Sequence, residues 1–208
     1  MKLFENYSTI LWDFDGVILD SMDIRDLGFI KVLSELGHQK KDIDTLITFH
    51  RANGGLSRYF KFRYFYEKIL GQDISEQCVI DLAAKFSEQV TDLLINKDLI
   101  MPKVLEFIQS NYKMYNFHIV SGSDQTELRN VCKGLKLDTY FESIHGSPTA
   151  KTQLVADVLQ AHQYRPEMVC LIGDSINDFH AADKNAIDFY GYNNSGLKSV
   201  GNGYIDFF

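Results

Sequence analysis

Two aspartates, Asp13 and Asp15, follow directly after the first apolar segment of the sequence, residues 8–12. If that segment is a buried strand, both carboxylates leave it at one end and can enter the same crevice. Negative charges held this close cost free energy unless a cation or a ligand compensates them. The pair therefore predicts a site for metal or phosphate chemistry, with simple capping of the next loop as the alternative.

A second acidic pair, Asp174 and Asp178, follows the apolar residues 168–172. Helix positions four apart share one face, and the first turn of a helix is its positive end. Alone, such a pair is common at the start of a helix. Beside Asp13 and Asp15 it predicts a cluster of carboxylates, which are oxygen ligands that Mg²⁺ prefers in proteins.

Three further residues have the chemistry to hold a phosphate group. Ser121 and Gly122 follow the apolar residues 117–120 and offer a hydroxyl and N–H groups that can bind an anion. Lys151 stands at the start of another predicted helix, where the helix dipole disfavours a cation unless an anion lies nearby. Each signal alone also fits an ordinary turn or a surface lysine. Together with the acidic residues they predict a site for phosphoryl oxygens.

Five short apolar segments, each followed by a segment with helical spacing, indicate the fold. Such alternation is typical of parallel strands joined by crossover helices, so the sequence predicts an α/β fold with a doubly wound, Rossmann-like parallel sheet. In these sheets ligands bind beyond the carboxyl ends of the strands, where the residues above stand. The predicted strands cover residues 8–12, 117–120, 141–144, 168–172 and 187–190. The apolar tail, residues 201–208, is predicted to pack on the sheet edge or on a partner.

Helical periodicity replaces the strand pattern between the first two predicted strands. We therefore expect an inserted all-helical cap domain over residues 19–97 and a catalytic core formed by residues 1–18 and 98–208. Within the cap, Asp73 with Glu76 three positions later forms a capping-box pattern and predicts the start of a long amphipathic helix.

The cap segment from residue 50 to residue 68 has a net positive charge, whereas the protein as a whole is acidic. It carries five lysines and arginines against one acidic residue, Glu67, together with six aromatic residues. These cations suggest a surface that faces an anionic substrate, and Arg58 and Arg63 are the predicted contacts. The alternative is that the aromatic residues form the core of the cap and the cations its solvated edge.

The overall composition limits the class of protein. With 28 acidic and 21 basic residues the formal net charge is -7, which has the wrong sign for binding nucleic acid through its phosphates. The three cysteines are widely spaced and indicate reduced core residues, and no segment is apolar for long enough to cross a membrane. His118 lies in a predicted strand and His162 has no partner at ligand spacing, so neither is assigned to catalysis. We expect a cytoplasmic monomer or homodimer without membrane or nucleic-acid partners.

Taken in order, these segments resemble the haloacid dehalogenase-like superfamily of phosphohydrolases. The resemblance covers about residues 8–182 and depends on four motifs: DFDGV, SGS, the lysine of SPTAK, and GDSINDFHAA. The insertion after the first motif is similar to the helical-cap branch, which includes phosphoglycolate phosphatases and β-phosphoglucomutases. The resemblance implies an enzyme that acts on a small phosphorylated metabolite with Mg²⁺ as its cofactor.

The resemblance also implies a role for each motif residue. Asp13 would be the nucleophile that attacks phosphorus. Asp15 would donate a proton to the leaving oxygen and then activate water. Ser121, Gly122 and Lys151 would bind the phosphoryl oxygens.

The remaining motif residues would complete a metal site. An oxygen of Asp13, the backbone carbonyl of Asp15 and the carboxylate of Asp174 would hold Mg²⁺, while Asp178 would orient Lys151 or a metal-bound water. The favoured function is a phosphatase that works through an aspartyl-phosphate, and the alternative is a phosphosugar mutase of the β-phosphoglucomutase kind. A phospho-aspartate signalling module of the receiver type is disfavoured, because here the acidic pair follows the first strand and a large cap interrupts the core.

Overall fold

Six parallel strands form one sheet in the computed structural model, which describes residues 2–208. They are β1 (Thr9–Trp12), β2 (Asn116–Asp124), β3 (Ser143–Ser147), β4 (Val169–Gly173), β5 (Asp188–Tyr192) and β6 (Gly203–Ile205). Their order across the sheet is β3-β2-β1-β4-β5-β6, and every neighbouring pair is parallel. The predicted doubly wound sheet is confirmed, and each of the five predicted strands overlaps an observed one. The tail contributes β6, which pairs with β5 at the sheet edge.

Eight α-helices accompany the sheet within residues 2–208. They are α1 (Met22–Glu35), α2 (Lys40–Ala52), α3 (Arg58–Tyr64), α4 (Glu76–Leu94), α5 (Pro102–Asn111), α6 (Gln125–Gly134), α7 (Lys151–His162) and α8 (Ile176–Lys184). Directly after α3 the chain continues as a π-helical segment, Phe65–Leu70. In this part of the chain no helix has the length and apolar character needed to span a membrane.

Helices cover both faces of the sheet, and alternate strand side chains pack against them. On β1, Ile10 and Trp12 belong to the core that α5 and α6 cover, whereas Leu11 packs with α7 and α8 on the opposite face. Strands β1 and β4 are buried along their whole length, as expected for central strands of a covered parallel sheet. The sheet therefore gives firm support to the strand ends that carry the acidic residues.

The first four helices form the inserted cap, which is all-helical as predicted. Two chain segments link the cap to the core, one on each side of the insertion, and they run antiparallel and are hydrogen-bonded to each other. The backbone N–H of Asp20 donates to the carbonyl of Leu99 over 2.8 Å, and that of Met101 donates to the carbonyl of Ile18 over 2.9 Å. These connections lie close to the predicted boundaries. The division into a core of residues 1–18 and 98–208 and a cap of residues 19–97 stays a prediction.

Aromatic side chains fill the centre of the cap. The ring of Phe29 lies 4.6 Å from the ring of Phe86 and 5.2 Å from that of Phe62, and all three side chains are buried. Two of the six aromatic residues in the basic segment, Phe62 and Phe65, are fully buried and belong to this core.

The long helix α4 begins later than the sequence predicts. Its N-cap is Ser75, whose hydroxyl accepts a hydrogen bond from the backbone N–H of Cys78. The predicted capping box at Asp73 is therefore wrong. Gly71, in a left-handed conformation, ends the preceding helical segment. Residues 72–74 are not helical and connect that end to the N-cap of α4.

Gly28 allows α1 and α4 to approach closely. A Cβ at this position would lie 2.6 Å from the Phe86 ring and 2.7 Å from the side chain of Val90, both of which are buried. Inside a helix, alanine is more favourable than glycine by about 1 kcal/mol. The added methyl group would also overpack the core, which costs about 1–3 kcal/mol. We therefore expect Gly28→Ala to lower the free energy of unfolding by about 1–2 kcal/mol, measured by urea denaturation.

A matched control is Gly134→Ala at the end of α6. The atoms nearest to its added Cβ belong to Ile95, an exposed side chain that can move aside. This variant should keep or slightly raise the stability. Equal losses in the two variants would contradict the packing explanation.

Candidate active site

The carboxyl ends of β2, β1 and β4 lie side by side at one edge of the sheet. Asp13 and Asp15 directly follow β1, Ser121 and Gly122 lie in the last part of β2, and Asp174 directly follows β4. Because the strands are parallel and adjacent, side chains from distant parts of the sequence meet at this edge. The structure thus brings together the strand-end residues that the sequence predicts.

Lys151, the first residue of α7, lies between two carboxylates. Its Nζ is 2.8 Å from Oδ1 of Asp13 and also contacts Oδ1 of Asp178. All three residues are buried. Burial lowers the pKa of Lys151, but the two carboxylates outweigh this effect and raise the pKa above its usual value. The ammonium group therefore stays charged.

A capping box holds Asp178 in place at the start of α8. Its carboxylate accepts hydrogen bonds from the backbone N–H of Ser175 over 3.0 Å and from the Ser175 hydroxyl over 2.8 Å. The other carboxylate oxygen of Asp178 faces Lys151. Asp178 thus anchors the lysine that reaches Asp13.

Asp13, Asp174 and Asp178 form a cluster in which each offers a carboxylate oxygen within 4.8 Å of the others. Burial, followed by repulsion from neighbouring carboxylates, raises the pKa values of Asp13 and Asp174. Gly16 has a left-handed backbone with φ 77°, and a Cβ there would overlap the carboxylate of Asp174. Lys151 neutralises only one of the three charges. The cluster therefore fits a hard divalent cation such as Mg²⁺, which Asp13 and Asp174 would hold, whereas both carboxylate oxygens of Asp178 are already engaged.

The side chain of Asp15 points away from this cluster and towards the cap. It accepts hydrogen bonds from Nε and Nη2 of Arg25 over 3.0 and 3.2 Å and also contacts the hydroxyls of Ser21 and Ser123. Burial raises the pKa of Asp15, but Arg25 and the hydroxyls together lower it below its usual value. In this conformation Asp15 is ionised. The sequence analysis did not identify Arg25. Its position on the first cap helix, four residues after Ser21 and therefore on the same helix face, could have marked it as a candidate.

Glu127 of α6 links the core to the cap through two arginines. Its carboxylate binds Nη1 and Nη2 of Arg58 over 2.7 and 2.6 Å and also contacts Nη1 of Arg25. Arg58 further donates to the hydroxyl of Ser87 over 2.7 Å and lies 4.4 Å above the Phe86 ring. Although burial opposes ionisation, the two guanidinium groups hold the pKa of Glu127 at about 2. The sequence analysis did not identify Glu127.

The two cap cations predicted to contact substrate have different surroundings. Arg58 is buried and lines the cavity above Asp15, with its guanidinium paired to Glu127. Arg63 forms an ion pair with Glu76 within the cap and is not among the residues that line this cavity. The structure therefore brings Arg58 to the site but not Arg63.

A small cavity of about 30 Å³ lies between the cap and the acidic residues. Core residues on its wall include Asp15, Gly122 and Asp174, and the cap supplies Arg58 and Lys61. The loop before α3 closes tightly on the core, because a Cβ at Gly122 would lie 2.6 Å from the carbonyl oxygen of Gly55. The volume suits one or two water molecules. A ligand larger than this would need the cap to move before it could occupy the cavity.

Lys61 is a buried cation on the cap side of this cavity. Its Nζ lies 2.8 Å from Nδ1 of His50, whose Nε2 is 3.6 Å from Oδ1 of Asp26. Within residues 2–208 no carboxylate oxygen lies within 4.0 Å of this Nζ. Burial is the main reason that the pKa of Lys61 falls to about 7. Lys61 is thus a buried basic group at the cavity that has no direct acidic partner and whose proton is held less firmly than usual.

The buried hydroxyl of Ser121 remains available to a ligand. Its oxygen accepts a hydrogen bond from the backbone N–H of Ser123 over 3.1 Å, so its own proton can be donated elsewhere. Gly122 next to it offers backbone close to the cap loop. This part of β2 can therefore contribute donors to an anion at the strand ends.

Comparisons with known proteins agree on one family. The family model described as haloacid dehalogenase-like hydrolase matches residues 10–192. A phosphoglycolate phosphatase of Colwellia psychrerythraea is 24% identical over 203 residues, which cover 93% of this chain and 88% of that protein.

Solved structures of low sequence identity share the fold. The β-phosphoglucomutase of Clostridium difficile is 16% identical with a TM-score of 0.78, over 97% of this chain and 91% of that one. CbbY of Rhodobacter sphaeroides, solved in complex with phosphate, is 14% identical with a TM-score of 0.76, over 97% and 94% of the two chains. Both likenesses extend through the sheet and the cap.

The ion pairs of Glu127 make the stability depend on pH. Because the pKa of Glu127 is lowered from 4.5 to about 2 on folding, the stabilisation is complete above pH 4.5 and is lost as the pH falls towards 2. We expect Glu127→Gln to lower the free energy of unfolding at pH 7 by about 3 kcal/mol, since it leaves two buried guanidinium groups without their carboxylate. Urea denaturation at several pH values should show the difference from wild type shrinking below pH 4.5.

Glu106→Gln provides the control for that experiment. Glu106 forms an exposed ion pair with Lys103, and exposed pairs contribute little to stability. A loss in Glu127→Gln no larger than in this control, at every pH, would rule out a stabilising role for the buried ion pairs.

Proposed function

Because this chain belongs to the haloacid dehalogenase-like hydrolase family, we propose that it is a Mg²⁺-dependent phosphatase that hydrolyses small phosphate monoesters through phosphorylation of Asp13. The contact that carries the proposal is Lys151 held between Asp13 and Asp178, with Asp174 beside them. It combines a nucleophilic carboxylate with a fixed positive charge for phosphoryl oxygens. Phosphoryl transfer needs chiefly such positioning and charge compensation.

In the first step an oxygen of Asp13 attacks phosphorus, the bond between phosphorus and the ester oxygen breaks, and Asp15 gives the leaving oxygen a proton. Lys151, the hydroxyl of Ser121 and the backbone of Gly122 bind the phosphoryl oxygens. In the second step Asp15 takes a proton from water, which attacks phosphorus and releases inorganic phosphate from Asp13. Bound Mg²⁺ would supply further positive charge against the phosphoryl group.

The role of Asp15 as a proton donor requires a change in its surroundings. Arg25 is the main group that keeps Asp15 ionised. An incoming phosphate ester that draws Arg25 away removes this effect, and the pKa of Asp15 then rises because burial remains. Cap movement and proton transfer are therefore linked through Arg25.

The pairing of Arg58 is one cap contact that argues against the mutase alternative. A mutase must hold a second phosphate of its bisphosphate intermediate, and a free guanidinium would be suited to that task. Arg58 instead binds both carboxylate oxygens of Glu127. We therefore retain the phosphatase as the proposed function. The cytoplasmic location, the monomer or homodimer, and the lack of nucleic-acid and membrane partners stay predictions.

Lys61 indicates the substrate class. A buried ammonium without an acidic partner is costly, and an anion arriving in the cavity would compensate it. We propose that the substrate carries a second anionic group, such as a carboxylate, which Lys61 binds when the ester group reaches Asp13. Phosphorylated organic acids fit this requirement.

Replacement of the nucleophile tests the reaction. We expect Asp13→Asn to reduce phosphate release from p-nitrophenyl phosphate by at least about 1,000-fold, because the amide cannot form the phosphoryl-enzyme. Asp20→Asn, a change at a nearby exposed aspartate, should leave the rate unchanged. Acid quenching of the wild-type reaction should trap phosphate on Asp13, and chelation of Mg²⁺ should stop turnover. Trapping on another residue, or turnover in excess chelator, would contradict the mechanism.

A pair of matched substrates tests the role of Lys61. For phosphoglycolate, Lys61→Met should lower kcat/KM by about 10- to 100-fold, since a hydrogen bond to a charged group contributes about 1.5–3 kcal/mol. For ethyl phosphate, which is similar in size but lacks the carboxylate, the change should stay below about threefold. The control is Arg63→Met, which lies outside the cavity and should affect neither substrate. Equal losses on both substrates would refute the second anion but not the phosphatase.

A further inference from the structure

Four side chains with metal-binding chemistry meet on the other side of the fold from the candidate active site. His118 is in β2, Glu142 immediately precedes β3, His162 is the last residue of α7, and Tyr164 follows two residues later. We call them the histidine cluster. It lies towards the amino ends of the strands. Lys151 of the active site begins α7 and His162 ends it, so the length of this helix, roughly 16 Å, separates the two.

The distances within the histidine cluster are close to those around one ion. Oε2 of Glu142 is 3.8 Å from Nε2 of His118 and 3.8 Å from Nδ1 of His162. The hydroxyl of Tyr164 is 3.0 Å from the same Nε2 and 3.3 Å from the same carboxylate oxygen. Ligands bound tetrahedrally to Zn²⁺ at about 2.0–2.2 Å lie about 3.3–3.6 Å apart. Shifts of a few tenths of an ångström would therefore bring His118 and Glu142 to ligand spacing.

The surrounding contacts orient the histidines for such a role. His118 is fully buried, and its Nδ1 lies 2.7 Å from the hydroxyl of Ser143. Metal-binding histidines almost always use their second ring nitrogen in this way, which fixes the ring and the tautomer. The ring of His162 stacks on that of Tyr164 and packs edge-on against His118, with centroids 5.1 and 4.7 Å apart.

We propose that His118, Glu142 and His162 bind a divalent transition-metal ion such as Zn²⁺. Two imidazole nitrogens and one carboxylate favour Zn²⁺ over Mg²⁺, which prefers oxygen ligands. The side chains of Glu142 and His162 are 46% and 34% exposed, so solvent can reach the ion and supply a fourth ligand next to Tyr164. The bound ion joins the end of α7 to β2 and to the start of β3, and it stabilises the native state by binding it in preference to the unfolded chain.

Calorimetric titration of the untagged full-length chain with Zn²⁺ tests this site. An Asp174→Asn background weakens the acidic cluster at the other edge of the sheet, so that binding there does not obscure the result. We expect one Zn²⁺ per chain at the histidine cluster, and Co²⁺ in the same protein should give visible absorption typical of a nitrogen- and oxygen-coordinated ion. The melting temperature should rise with Zn²⁺.

Single substitutions at the two exposed ligands identify the site without disturbing the core. His162→Ala and Glu142→Gln should each weaken Zn²⁺ binding by about tenfold or more and abolish the rise in melting temperature. The control is His180→Ala, which removes an exposed histidine of α8 outside the histidine cluster and should change neither. The proposal would be overturned if the parent protein bound no Zn²⁺, or if His162→Ala and Glu142→Gln bound Zn²⁺ as tightly as the parent does; the cluster would then be only a hydrogen-bonding network.

Discussion

The surplus of negative charge at the carboxyl edge of the sheet is the constraint on which the rest of the site depends. Asp13 and Asp178 are buried with Lys151 as their direct cationic contact, and the half-buried Asp174 lies beside them. Such an arrangement costs free energy by itself. The parallel sheet imposes it, because its helices cover both faces and fix the strand ends. A cation and a phosphoryl group relieve the cost by completing the charge balance, which is why the same arrangement is suited to phosphoryl transfer.

A second set of buried charges joins the cap to the core. Glu127 receives Arg58 and Arg25 from the cap, and Arg25 also holds Asp15. Opening of the cap would separate these buried ion pairs and expose their charged groups to water, which solvates them. In the structure Arg25 contacts Asp15 and lowers its pKa. The position of the cap and the ionisation of the candidate acid thus depend on the same arginine.

Much of this molecule is predictable from local patterns. The apolar segments identify five of the six strands, because buried parallel strands are nearly continuous runs of apolar residues. The same runs predict where the chemistry lies, since Asp13, Ser121 and Asp174 all stand at their carboxyl ends. The short strand β6, with three residues and a glycine, carries no such pattern. It pairs with the outer edge of β5.

What the sequence by itself determined is the identity of the groups at the strand ends and the presence of a helical insertion. Only the tertiary structure decided which cations face the site. Arg58 and Arg63 belong to the same basic segment, yet Arg58 meets Glu127 across the cap-core boundary while Arg63 meets Glu76 within the cap. Likewise, His118 and His162 are far apart in sequence and meet through the packing of α7 on the sheet. Spacing along the chain specifies contacts within one helix or strand, whereas contacts between elements depend on how the folded layers pack.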